Sequence, residues 1–162
     1  MALEYKLPNI LKGGIIYAAG DTIAALIIND FSVVRLIGIF VIGATLYAIE
    51  IPNYFKWIDR KMKPTGSFGN SIKRASMAML YFNPLWIARH ILIIELLLGN
   101  YDTISWAILL IGLTSFIVNI PVSLIANYLI QNKFGLKHRF LASAIFSGLM
   151  AIYYSLSKTW FA

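Results

Sequence analysis

The stretch Ser115–Lys133, SFIVNIPVSLIANYLIQNK, is oily enough to cross a bilayer, yet it carries Ser115, Asn119, Pro121, Ser123 and Asn127 before it ends in charge. An amide in hydrocarbon costs free energy unless it finds a partner. The spacing answers part of the difficulty, because Ser115, Asn119, Ser123, Asn127 and Gln131 recur every four residues, and residues four apart lie on one side of a helix. The stripe is about 24 Å long at helical rise, and it winds by about 40° per step of four. Two surroundings would satisfy it: water in a pore, or polar groups on tightly packed neighbouring helices. Neither leaves it facing lipid.

The rest of the chain sets this helix among others of its kind. Of 162 residues, 59% are hydrophobic and only 13% charged, with a mean hydropathy of +0.74, far from the make-up of an ordinary soluble domain. A span needs roughly 20 apolar residues, and 31–51, 75–98, 104–130 and 140–156 each qualify. The run 10–28 is weaker, since it holds Asp21 and several glycines. The expected fold is therefore all-α: residues 1–162 as one integral membrane domain, a polytopic bundle of five transmembrane helices, with proline interrupting helices 2 to 4 at Pro52, Pro84 and Pro121. Glu4 and Asp21 argue against a cleaved signal peptide. Between the second and third helices, 60–74 (RKMKPTGSFGNSIKR) reads as a loop, its Pro64, Gly66 and Gly69 favouring turns.

A net charge of +7 would suggest nucleic acid in a soluble protein, but its distribution gives it another meaning. Eleven of the 14 basic residues, from Lys6 and Lys12 through the cluster 56–74 to Lys133, Lys137 and Arg139, fall on one side of a five-helix topology; Arg35 and Lys158 fall on the other. By the positive-inside rule, the amino terminus is inside and the carboxyl terminus outside. The positive charge is expected to meet anionic lipid headgroups, with no nucleic-acid partner. Tyr54 and Trp57, Tyr101 and Trp106, and Trp160 and Phe161 mark helix ends where amphipathic rings sit at headgroup level.

Candidate functional residues follow from the same logic. Asn53, Asn83 and Asn119 each lie within two residues of a helix proline, where an amide can satisfy a freed carbonyl or line a polar cavity. Gly43, Tyr47, Glu50, Tyr54 and Trp57 form a seam on the second helix, and Asn83, Trp86 and His90 share a face of the third. The polar interior, or pore lining, is thus assigned to Glu50, Asn53, Asn83, Ser115, Asn119, Ser123 and Asn127. Charge inside a membrane is expensive and commonly paired; Asp21 and Arg89, both near mid-depth, are expected to pair and to set register or act as a gate. Ser143 and Ser147 sit among small residues, and Gly14-x-x-x-Ala18 and Ala144-x-x-x-Gly148 suggest helix contacts. No catalytic motif stands out: His138 is in a basic loop, there is no His-x-x-x-His pair, phosphate loop or nucleophile elbow, and the chain has no cysteine. The expectation is a protein that is not an enzyme and uses no metal or cofactor.

Several segments, taken in order, resemble the twenty-two-kilodalton peroxisomal membrane protein and Mpv-seventeen family of small integral membrane proteins. GGIIYAAGD, ending in Gly20 and Asp21, is similar to that family's small-residue run. NYFKWIDRK is similar to its aromatic pair, basic residue and apolar-Asp-Arg ending, here Tyr54, Phe55, Lys56, Ile58, Asp59 and Arg60. IKRASMAMLYFNPLW resembles its basic entry to the third helix; Pro121, Asn127, Tyr128, Arg139 and AIYYSLS complete the order. Asn119 and Ile120 stand where the family usually has a tryptophan, and the connection to the fourth helix is shortened to GNYDTIS. The resemblance implies a weakly selective channel for small solutes, whose mitochondrial branch is linked to maintenance of mitochondrial DNA.

Together these readings predict a weakly selective membrane conduit for small solutes or ions. The alternatives are a noncatalytic scaffold or lipid-interacting protein, and a small secondary transporter. Expected partners are membrane lipids, small solutes or ions, and further copies in a homo-oligomer. The short connections and lack of an organellar presequence favour a prokaryotic inner membrane; a mitochondrial inner or peroxisomal membrane is the eukaryotic alternative.

Overall fold

A computed structural model describes residues 3–63 and 66–161, without the side chains of 151 and 154–161. Pro64, Ala151, Lys158, Trp160, Phe161 and most of AIYYSLS therefore lie outside what is described. Five helical rods form the bundle, and there is no strand among the described residues. The first is α1 (Leu7–Ile27). The second joins α2 (Val33–Ile42), a π turn (Gly43–Tyr47) and α3 (Ala48–Lys61). The third joins α4 (Phe68–Tyr81) and α5 (Pro84–Leu98); α6 (Ala107–Lys133) and α7 (Leu136–Phe161) complete it. The first four rods are long and apolar enough to cross a membrane, as an integral membrane protein requires. The expected loop 60–74 shrinks to 62–67, because α3 continues to Lys61 and α4 begins at Phe68.

Proline acts differently in each rod. Pro52 sits inside α3, one turn after the π turn. Pro84 opens α5, whose first turn is capped by Asn83: its Oδ1 accepts from the Trp86 N–H at 3.0 Å. Pro121 lies within α6, which runs through it, on an exposed face.

The largest helix contact is α1 on α7, followed by α4 on α6. Small residues permit it. A Cβ on Gly20 would meet the Gly148 Cα at 2.5 Å, and one on Gly13 would collide with the Gly43 carbonyl of the π turn. Of the expected small-residue pairs, Gly148 thus joins α7 to α1 at Gly20, whereas Gly14 faces the Phe40 ring of α2. Backbone cannot step aside as a side chain can, so Gly20→Ala is expected to cost about 1–3 kcal/mol, read as a lower melting temperature in detergent. Gly69→Ala, where a Cβ would come no nearer than 4.0 Å to Ser67 Oγ, should be neutral or slightly stabilising.

On α6 the usual polarity of a helix is inverted. Ser115, Asn119, Ser123, Asn127 and Gln131 are buried, whereas Leu110, Ile117, Val118, Val122 and Ile125 are each more than half exposed. An exposed apolar belt with polar residues inside is what a bilayer selects, because hydrocarbon outside removes any gain from burying leucine.

Candidate functional site

Buried polarity falls into three clusters, strung along the bundle and flanked by the α6 stripe. At the end holding the connections 28–32 and 99–106, Arg35 reaches from the first turns of α2 to Asp21 on α1. Its Nε and Nη2 donate to the two carboxylate oxygens at 2.7 and 2.8 Å, and its Nη1 donates to Asp30 at 2.9 Å. Both side chains of the Arg35–Asp21 pair are 2% exposed. Glu95 on α5, also buried, accepts from Asn100 Nδ2 at 3.1 Å and from Thr103 Oγ1 at 2.9 Å.

Midway along, Glu50 on α3 meets α4 and α5. Arg89 donates to it through both terminal nitrogens, at 3.1 and 2.9 Å, and the Tyr81 hydroxyl donates at 2.5 Å. The guanidinium also lies 5.7 Å from the Tyr47 ring centroid, within cation–π range. Behind it, Tyr47 shares a 3.0 Å hydrogen bond with His90 Nδ1, and Trp86 stacks on the imidazole at 5.7 Å and 6°. Glu50 and Arg89 remain about one-third exposed, at 33% and 36%.

At the opposite end, which carries most of the lysines, Asp59 on α3 accepts from Arg74 of α4 and Arg139 of α7, each at 2.5 Å. Arg74 is fully buried and also donates to the backbone carbonyls of Met62 and, at 3.1 Å, of Gln131. A single carboxylate therefore ties together α3, α4 and α7, and through Arg74 reaches α6.

The pairing expected between Asp21 and Arg89 does not form. Each charge has another partner, Arg35 for Asp21 and Glu50 for Arg89, because the two sit in different clusters along the bundle and each turns to a counter-ion on its own neighbouring helix. Arg35, expected in a surface connection, is instead a buried counter-ion. With it inside, the interior acids Asp21 and Glu50 each have a guanidinium partner. Asn53 is occupied by the chain's amino-terminal segment: its Oδ1 accepts from the Glu4 N–H at 2.9 Å, and its Nδ2 donates to the Glu4 carbonyl at 2.9 Å. Asn83 is a helix cap.

Ser115, Asn119, Ser123 and Asn127 do stand together, buried along α6. Asn119 Nδ2 donates to Ser123 Oγ at 2.8 Å and lies 3.1 Å from Met150 Sδ; Asn127 Nδ2 donates to the Ser123 carbonyl at 2.9 Å; and the Tyr153 hydroxyl donates to the Ser115 carbonyl at 3.2 Å. The stripe is only partly satisfied. Ser115 Oγ, Asn127 Oδ1, both amide atoms of Gln131 and, on facing α7, Ser143 Oγ are buried with no hydrogen-bond partner among the described residues.

The deep roles of Arg35, Asp59, Arg74, Tyr81 and Arg139 were missed in the sequence. The signal present was position: Arg35, Arg74 and Arg139 each lie within the first two turns of a helix, where a long side chain can turn inward as well as toward headgroups. Among the described residues there is no group of three or more histidines, cysteines or acids that could hold a metal ion. The chemistry on offer is ion pairing and hydrogen bonding. Compared with known protein families, curated proteins and solved structures, the chain finds no match.

Proposed function

We propose that the chain is a weakly selective membrane conduit for small polar solutes or ions, running along the buried face of α6. The observation that supports this reading is the row of orphaned polar atoms at Ser115, Asn127 and Gln131. Each buried polar atom without a partner costs about 1–3 kcal/mol, a cost that water or a polar solute passing along the stripe removes. Because the interior charges are paired, neutral polar solutes are favoured over either sign of ion. The basic end faces inward, which puts the amino terminus inside and the carboxyl terminus outside. A prokaryotic inner membrane is the proposed location, with the mitochondrial inner or peroxisomal membrane as the eukaryotic equivalent.

Kinship with the twenty-two-kilodalton peroxisomal membrane protein and Mpv-seventeen family is part of the proposal. It is supported by the meeting of Asp59 and Arg139, two of the residues that carry the resemblance. The conduit is noncatalytic and works without a cofactor, among lipids and in a homo-oligomer.

The test is solute flux through liposomes containing the purified protein. Wild type should leak small polar solutes, and the double variant Asn127→Leu with Gln131→Leu should lower that flux about tenfold or more while leaving the melting temperature equal or higher. Absence of any leak, at every voltage and pH tried, would sink the reading. A noncatalytic scaffold is the second reading, favoured by the hydrogen bonds that Asn119 and Asn127 make within their own helix. In that case wild type is tight and the double variant changes stability alone.

A further inference from the structure

A second feature lies at the basic end, away from the α6 stripe. Between the starts of α1 and α7 and the side of α3 there is a cavity of about 490 Å³. Lys6 and Lys12 of the amino-terminal region, Lys56 of α3 and Lys137 of α7 all line it, against a single acid, Glu4. Four ammonium groups and one carboxylate leave three positive charges around one hollow. Lys6 and Lys56 both pair with Glu4, the former at 2.8 Å. Lys12 and Lys137 form no ion pair among the described residues. Glu4 is held over the cavity through its main chain, by the two hydrogen bonds to Asn53.

The wall of this cavity is not merely basic. Phe55 and Phe140 close its floor and are almost fully buried. On α1, which lends Pro8, Asn9 and Lys12 to the cavity wall, the neighbouring Leu7, Leu11 and Ile15 are 65%, 48% and 59% exposed. A soluble phosphate would use the lysines and nothing else. An anionic phospholipid uses both parts, with its phosphate among the lysines and its acyl chains along the apolar side of α1. Basic pockets between membrane helices bind lipid headgroups in this way.

We infer that this cavity is a binding site for the phosphate-bearing headgroup of an anionic phospholipid, seated between α1, α3 and α7. Lys12 and Lys137 supply the uncommitted charge. Glu4 holds Lys6 and Lys56 in place and opposes the ligand's charge. The site rests on the chain's membrane location but not on conduction, so a protein that binds lipid without leaking keeps it intact.

The experiment uses the full chain purified in a nonionic detergent, titrated with phosphatidylglycerol, phosphatidic acid or phosphatidylcholine, with inorganic phosphate as the soluble probe. Bound lipid is counted by native mass spectrometry and protection is followed by melting temperature. The expected result is saturable binding of one anionic lipid per chain, with phosphatidylcholine at least tenfold weaker. Lys12→Gln with Lys137→Gln should weaken anionic-lipid binding about tenfold or more, since each lysine near a headgroup contributes roughly fivefold. Glu4→Gln, which removes the opposing charge, should strengthen it severalfold.

Lys61 and Lys73 are exposed and outside the cavity, so Lys61→Gln with Lys73→Gln should leave binding unchanged. Three results would overturn the inference: equal binding of phosphatidylcholine, an equal loss from the control pair, or protection by millimolar phosphate matching that of lipid. The last would make the site one for soluble phosphate. Extraction of the chain from vesicles by alkaline carbonate would instead count against the membrane location.

Discussion

Asp21→Ala is expected to cost about 3–5 kcal/mol of stability, the effect of leaving a buried charge without its partner. The reason is the completeness of the Arg35–Asp21 pair. Two parallel hydrogen bonds at 2.7 and 2.8 Å join side chains that are each 2% exposed, so no solvent replaces the lost carboxylate. Asp30, the other partner of Arg35, is 45% exposed at the end of the bundle and cannot take over. Its own replacement by alanine should cost less than about 1 kcal/mol. Denaturant or thermal unfolding in micelles would measure both. Replacing the pair together, Asp21→Leu with Arg35→Met, should recover most of the loss, because the cost arises from the stranded guanidinium more than from the missing bond. A single Asp21→Ala variant as stable as wild type would mean that Arg35 is not committed to this partner.

Asp59→Ala is expected to have an effect of the same order, about 3–5 kcal/mol, for a different reason. One carboxylate here accepts from two guanidinium groups, each at 2.5 Å, and Arg74 is fully buried. Without Asp59 the two arginines would face each other with no carboxylate between them. The damage should be local as well as global: amide exchange in the first turns of α4 and α7 should speed up more than exchange in α5. Asp59→Glu keeps the charge and should restore part of the loss. If Asp59→Ala melted within a degree or two of wild type, the clamp would have no structural weight.

What the sequence disclosed and what it withheld follow one division. Helix type and inward face were legible wherever a period repeats, as with the four-residue spacing from Ser115 to Gln131, because the geometry of a single helix determines them. Pairing between helices was not legible, because it depends on rotations that no single period fixes. Asp21 and Arg89, expected at one depth, belong to different clusters and meet different neighbours. The π turn at Gly43–Tyr47 shifts the phase of everything after it, including Glu50, and its five residues have no distinctive spelling. Arg35, Arg74 and Arg139 were counted as surface charge by the same rule that located the helix ends. Asn53 and Asn83 were read as cavity lining because an amide beside a proline has the same sequence appearance whether it lines a cavity, holds another segment or caps a helix.

The inverted face of α6 also bears on how the bundle is assembled. While α6 is alone in lipid, the bonds that Asn119 and Asn127 make to Ser123 satisfy only part of its stripe, and α4, α5 and α7 cover the rest. Two residues, 134–135, separate α6 from α7, so the pair packs as an antiparallel helical hairpin. A chain interrupted before α7 would lack the Met150 thioether and the Tyr153 hydroxyl that meet Asn119 and the Ser115 carbonyl, and is expected to leave that part of the polar seam uncovered.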